Sequence, residues 1–412
     1  YGQRLAAIGL ELAIGSGSPT RVFDWAERLK TAALQKPAVA TAAPELRDEL
    51  SRLRQLSSDL RGTQTDDLRR QLVDQETKVR RLARQAVGAA GDFRPASLAA
   101  VQSRLGRRSM IELVEVANRI YAVVATRHRA SLVDLGPSLD VASLVDQLRF
   151  AAERIARPST SDASRVAALR SVSQTAMQIR TAIVDPLGLG SGIARPVIVP
   201  TSGLHGIPWG HVIDGPVEVT PSATTWLTCY NSPAPAAPSV VIAGPGLEHA
   251  EAETTAIAAV AGAETISTGS IALERVPHAR LSHFACHARP RLDSPMFSSL
   301  VLDDGEITLY DLEQLDGAPG TVVLAACDGG SAIIASGDEV LGLAGAFLSL
   351  GCRTVIAPLF TVSDSATATA MIRFHEELAA GRDPAAALAS IRNNEDPVVA
   401  FTARSFSCFG AA

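Results

Sequence analysis

Residues 280–287 read Arg-Leu-Ser-His-Phe-Ala-Cys-His, and residues 320–327 read Gly-Thr-Val-Val-Leu-Ala-Ala-Cys. Each is a short apolar run of the kind that forms a buried strand. Three further runs share the pattern: "RPVIVP" (195–200), "SVVIAGPG" (239–246) and "RTVIAPLF" (353–360). Helical patterns lie between them, such as "EAETTAIAAVAG" (251–262) and "EVLGLAGAFLSLG" (339–351). Strands alternating with helices imply an α/β fold with a mostly parallel sheet covered on both faces. Such a fold gathers its functional residues beyond the carboxyl ends of neighbouring strands.

Two chemically competent side chains stand there. The first strand runs into His287 and the second into Cys327, which Asp328, Gly329 and Gly330 follow. On neighbouring strands, imidazole and thiol can face one cleft. The thiolate is the nucleophile, and the imidazole activates it and later protonates the leaving amine. The backbone amides of Ala288 and Cys327 are the natural donors to an oxyanion. A strand-end Cys and His are also compatible with a core thiol and a surface imidazole, so spacing alone leaves both readings open.

Upstream, "MIELVEVANRIYAVVATRHRASLVDL" (110–135) reads as two β-rich runs joined at Asn118-Arg119, and amphipathic helices are expected near 139–156 and 160–184. Leu46, Leu50, Leu53, Leu56 and Leu60, then Leu68, Leu72, Val79 and Leu82, repeat at three- and four-residue steps across residues 44–86. That is an antiparallel helical hairpin whose many charges read as a solvated face. Residues 1–40 read as two more helices, with Pro19 at a first-turn position. The expected division is a helical pair at 1–43, a helical hairpin or coiled-coil linker at 44–104, and an α/β domain at 105–412.

Composition narrows the function classes. Of 412 residues, 47% are apolar and 20% charged, ordinary for a globular protein. The net charge of −5 gives no reason to expect direct nucleic-acid binding. Three of the 38 basic residues are Lys and the rest Arg, which reads as genomic codon bias. Five scattered cysteines do not make a disulfide framework, so a reducing cytoplasmic compartment is expected. No membrane span and no signal peptide are read. The chain begins Tyr-Gly-Gln without an initiator Met and is expected to be a piece of a longer protein.

The wording of the core segments weighs the two readings of His287 and Cys327. "LSHFACHA" (281–288), "GTVVLAACDGG" (320–330) and "GDEVLGLAGAFLSLGCRTVIAPLFTVSD" (337–364) closely resemble the CHAT family, caspase-like cysteine peptidases often fused to tetratricopeptide repeats. "RPVIVPTSGLHGIPWGHV" (195–212), "VTPSATT" (219–225), "MFSSLVLDDGEITLYDLEQLD" (296–316), "MIRFHEELAAGRDPAAALASIR" (371–392) and "SFSCFG" (405–410) extend the resemblance over about Met110 to Gly410. It implies a caspase-like sheet with an all-α N-terminal extension, His287 as base and Cys327 as nucleophile. It also implies that residues 1–43 resemble the end of a repeat array. Two positions depart from the family: Ala288 stands where Gly is usual, and Phe360 where Trp is usual. Ala resists the positive φ that Gly allows.

Other residues compete for these roles. His205, in "GLHGIPW", is an alternative base, although a turn histidine before Gly-x-Pro is more often structural. Strand alternation puts His283 and His287 on one face and Cys286 on the other, so the three do not converge on a metal, and Cys286 reads as a buried structural thiol. Cys229, Cys352 and Cys408 sit in apolar contexts and read as core. Gly244-Pro245-Gly246 lacks the third glycine of a dinucleotide loop. Asp338 and Asp364 precede helices and read as N-caps. Asp328 and Asp293 are candidate substrate-pocket residues.

The expectation is a cysteine endopeptidase that cuts a specific protein substrate, needs no cofactor or metal, and is regulated by a protein partner or by upstream repeats. The alternative is a catalytically silent caspase-like scaffold, which would not need both His287 and Cys327. By resemblance, family members act in bacterial defence and regulated cell death, on substrates that include gasdermin-like pore formers. Two segments are candidate levers for control: the joint "AVGAAGDFRPAS" (86–97) and the loop "DGGSAIIASGDE" (328–339).

Overall fold

The structure is a computed structural model and describes residues 2–34, 44–85, 94–138, 140–188, 195–233, 235–291, 293–325 and 342–412. In chain order its strands are β1 (Ser109–Val116), β2 (Arg119–Ala125), β3 (Ala130–Pro137), β4 (Pro196–Val199), β5 (Glu218–Val219), β6 (Val240–Ala243) and β7 (Glu264–Ile266). They continue with β8 (Leu281–Ala285), β9 (Ala288–Arg289), β10 (Ser299–Leu302), β11 (Gly305–Thr308), β12 (Thr321–Leu324), β13 (Thr354–Pro358) and β14 (Phe406–Gly410). Eleven form one sheet in the order β3-β2-β1-β4-β5-β14-β13-β12-β8-β6-β7, and β11-β10-β9 form a small second sheet.

The main sheet is mostly parallel, as the alternating pattern requires. β13, β12, β8, β6 and β7 run one way. β14 is antiparallel to β13, and β5, β4 and β1 follow the direction of β14. The two halves therefore present their strand ends at opposite edges of the sheet. Residues 110–135 hold three strands where the sequence reads two. β1 and β2 turn at Ala117 and Asn118, both with positive φ, a two-residue turn that matches strand twist. The second turn, at 126–129, carries Thr, Arg and His but no Gly or Pro, so the sequence gives no break before β3.

Each face of the sheet carries its own core. On one, Phe284 of β8 meets Phe347 of the helix Gly342–Ser349, with ring centroids 6.1 Å apart. On the other, Val241, Val323 and Ile356 pack under the helices Ala250–Ala261 and Asp364–Ala379. The helical pair Gly2–Gly15 and Pro19–Leu34 joins the larger core through Leu10, Val22, Phe23 and Ala26. The hairpin Pro44–Gly62 and Asp66–Gln85 belongs to a third, smaller cluster, in which Leu46, Leu50, Leu53, Val79 and Ala83 pack on Phe297 and Tyr310.

Candidate active site

β8 and β12 are hydrogen-bonded parallel neighbours, with Phe284 opposite Leu324. The Ala325 N–H continues the ladder by donating to the Phe284 carbonyl at 2.8 Å. His287 lies three residues beyond Phe284, and Cys327 three residues beyond Leu324. In sequence, the two are equally far from one paired position of adjacent strands. Cys327 and Asp328 fall outside the described residues, as do Asp338 and the loop 328–339. The joint 86–97 is described only from residue 94.

The local course of the chain explains how His287 is presented. β8 ends at Ala285, and the chain bends at Cys286 and enters β9 at Ala288. Cys286 is fully buried, and burial pushes its thiol up to about 12, which suits a structural residue and not a nucleophile. Gly244 lets the end of β6 pass directly against this bend, since a Cβ there would overlap both Cys286 and the Val301 carbonyl. Gly246, at φ +82°, turns the same loop beneath the imidazole, where a Cβ would lie 3.5 Å from His287 Nε2. Gly244-Pro245-Gly246 therefore shapes the histidine's seat. Sequence reading had assigned it no role here, because its glycines match no binding fingerprint.

Ala288, the expected oxyanion donor, lies at the start of β9. The Val301 N–H donates to the His287 carbonyl at 2.9 Å, and Ala288 pairs with Leu300. In an antiparallel ladder this makes Ala288 a non-hydrogen-bonded position, so its own N–H turns away from β10. Ala288 is also absent from the residues with positive φ, so Ala in place of Gly carries no backbone strain there. Phe360, in the position where the family usually has Trp, is buried.

Alternation along β8 stops at the bend, so it does not place His283 and His287 together. His283 faces the opposite core with Glu253 and His375, all three buried. His283 Nε2 is 3.0 Å from Glu253 Oε1, and its Nδ1 is 3.1 Å from His375 Nε2. Burial, with Asp364 adding repulsion, pushes Glu253 up to about 8, while burial pulls His283 down to about 3. Both directions favour the neutral forms, in which the Glu253 O–H donates a hydrogen bond to His283 Nε2 and the His283 Nδ1–H faces His375 Nε2. This chain bolts β8 to two helices, and the sequence gives no sign of it, because its members are 30 and 92 residues apart.

His205 follows β4, which runs opposite to β8 and stands five positions away, roughly 24 Å. Burial pulls it down to about 3, and it does not reach the site. Cys229, Cys352 and Cys408 are buried core residues. Asp364 is the first residue of its helix, behind Ser363, and not the cap. Its carboxylate accepts the His249 N–H at 3.2 Å. Asp293 is exposed and held by Arg291 at 2.9 and 3.0 Å, which keeps its carboxyl below the usual range. Arg291 also donates to Glu76 of the hairpin at 2.8 Å.

The hairpin grips the segment directly downstream of His287. Arg54 pairs with the buried Asp311, which also closes the start of the helix Leu309–Glu313. Arg61 donates to the Leu302 carbonyl at 2.7 Å, Arg80 to Ser294 at 3.1 Å, and the Glu306 N–H to Ser57 at 3.1 Å. The expectation of a wholly solvated charged face therefore fails for Arg54, Arg61, Glu76 and Arg80. It holds for Asp66–Arg69 and Asp67–Arg70.

The family model of the CHAT domain matches residues 173–395, more than half of the chain. Among solved structures, the separase–securin complex of Saccharomyces cerevisiae is similar with a TM-score of 0.59 at 10% identity, over 96% of this chain and 37% of that one. A second structure of that complex gives 0.57 at 9% identity, over 99% and 37%. The chain thus spans little more than a third of the separase chains. An Arg-specific cysteine proteinase, gingipain R, matches more loosely, at a TM-score of 0.39 and 13% identity over 66% of this chain and 74% of that one. No curated protein matches the chain. Among the described residues, no helix is long and apolar enough to cross a membrane.

Proposed function

Because the chain belongs to the CHAT domain family, whose fold is that of caspase-like cysteine peptidases, we propose that it is a cysteine endopeptidase with a His287–Cys327 dyad. The observation that carries this reading is the register of β8 and β12, which pairs Phe284 with Leu324 and leaves His287 and Cys327 three residues beyond them. The Cys327 thiolate attacks the scissile carbonyl, and the amides of Ala288 and Cys327 receive the oxyanion. His287 protonates the departing amine. It then takes a proton from the water that cleaves the acyl-enzyme.

The test is a variant series on a peptide substrate library. Cys327→Ala should abolish cleavage, and His287→Ala should lower it by several orders of magnitude, since an unactivated thiol is mostly protonated at neutral pH. Cys286→Ala should cleave nearly as well as the parent. A dead Cys286→Ala beside an active Cys327→Ala would overturn the assignment. A parent that never labels with a thiol-reactive peptide would favour a silent scaffold.

The same library reads specificity. Asp328 follows the nucleophile, Asp293 lies six residues beyond His287, and no Arg or Lys occurs between Cys327 and Arg353. A basic or apolar residue before the cut is therefore expected. A strict preference for Asp contradicts it. The hairpin's hold on residues 291–311 supports control of the site by a protein partner or upstream repeats. Accordingly the chain alone should label slowly at Cys327, and faster when the full-length protein meets its trigger. Equal rates would leave control to expression or substrate access.

A further inference from the structure

The hairpin and the small sheet do not close completely on one another. A groove of about 340 Å³ remains between them, with the half-buried Leu60 and Leu72 in its lining above the buried Leu53 and Phe297. Its walls carry Arg61, Arg69, Arg289 and Arg291 against two carboxylates, Glu76 and Glu306. The lining itself is thus net positive, while Asp66 and Asp293, which pair with Arg69 and Arg291, are not part of it. The cations are oriented from within. Arg289 pairs with Glu306, and Arg69 lies 3.2 Å from Asp66. Arg61 meets the carbonyl oxygens of Leu302 and Asp303 at 2.7 and 3.2 Å. Arg69 and Arg289 keep 56% and 53% of their side chains exposed, so both guanidiniums can take a second partner.

The groove connects with the candidate active site. β9 is the outer strand of the small sheet. Ala288, the proposed oxyanion donor, begins it, Arg289 follows, and Arg291 lies three residues on, roughly 10 Å along an extended chain. A peptide whose scissile carbonyl sits at Ala288 can continue along this edge, as extended ligands join sheet edges generally, and enter the groove.

We propose that the groove is a docking site for an acidic, leucine-like segment of the protein substrate, beginning about three residues from the cut. The proposal rests on the endopeptidase reading and adds to it a second specificity element away from the scissile bond. Substrate carboxylates form charge-assisted, fork-shaped hydrogen bonds with Arg69 and Arg289, and intervening apolar side chains cover Leu60 and Leu72. A polyphosphate chain is a poorer fit, because the apolar floor offers it nothing and Glu76 and Glu306 repel it.

The experiment uses the whole chain as Cys327→Ala, so that nothing is cut. Fluorescence anisotropy compares a labelled peptide alternating Leu and Glu with its Leu–Gln counterpart. The Glu peptide should bind about tenfold tighter, and the preference should shrink as salt rises. Arg69→Glu with Arg289→Glu should remove it. Both side chains are largely exposed, and circular dichroism checks the fold. Equal binding of the two peptides, an undiminished preference in the double variant, or tighter binding of a single-stranded RNA through the same arginines each overturns the proposal. Labelling of Cys327 in the parent by a thiol-reactive peptide is scored separately. Acid preference without labelling sustains the groove and overturns the endopeptidase reading, and labelling without acid preference does the reverse.

Discussion

The two N-terminal helical pairs differ in sequence and are held in different ways. The pair at 2–34 is built into the main core. Its Phe23 is fully buried, and its Glu27 reaches inward to accept the N–H groups of Ala223 and Thr224 at 2.8 and 2.7 Å. Its Lys30 pairs with Glu112 of β1 at 2.6 Å and donates to the Leu113 carbonyl at 3.1 Å. The hairpin at 44–85 rests on a small separate cluster and on ion pairs to residues 291–311. The first pair is scaffold. The second is a clamp whose release need not unfold the sheet, and it grips the segment next to His287. Elements that move are drawn from the parts of a structure with the smaller buried core, and the hairpin's cluster is the smallest of the three.

The sharpest way to break this comparison is Phe23→Ala. Truncating a fully buried Phe should cost about 4 kcal/mol and lower the melting of the whole chain in one transition. If only residues 2–34 lose hydrogen-exchange protection, the first pair is not part of the main core. Arg54→Ala should cost about 3 kcal/mol, because it strands the buried Asp311 carboxylate. The loss should be local: exchange should accelerate in 44–85 and 299–311 while β8 and β12 stay protected. Uniform acceleration would make the hairpin core as well.

The main core should also carry a pH signature of its own. Glu253 has an ordinary value of 4.5, and burial raises it to about 8 in the folded chain. Below the lower value both states hold the proton. Between the two, only the unfolded chain releases it, so the contribution of Glu253 to folded stability falls as pH rises from 4.5 to about 8. Thermal melts of Glu253→Gln should gain on the parent as pH rises across that window, and parallel curves would remove Glu253 from the account. The smallest effect expected is that of Arg69→Ala. As an exposed hairpin substitution it should change stability by no more than about 0.5 kcal/mol, and a larger loss would show Arg69 to be packed in the groove wall.

Much of this architecture is legible in the sequence, for physical reasons. Strands buried on both faces must be continuously apolar, so β4, β6, β8, β12 and β13 announce themselves. The hairpin's leucines at three- and four-residue steps do the same for its helices. β5 and β7 are too short to show a pattern, and β3 follows a turn without Gly or Pro. His287 was legible as a strand-end residue. Its seat on Gly246 was not, since that depends on a loop 41 residues earlier in the chain.

The sequence by itself determined the alternating α/β pattern, the order of its strands along the chain, and the presence of a histidine and a cysteine just beyond two of them. Those are local properties, set by side-chain polarity and period. Only the tertiary structure decided that β8 and β12 are neighbours, that β4 and its His205 point the other way, and that Glu253, His283 and His375 share protons behind the site. It also decided that the hairpin's charges clamp the segment after His287. These depend on strand order, strand direction and the meeting of residues far apart in the chain, and burial then sets their charge. No local pattern of residues encodes them.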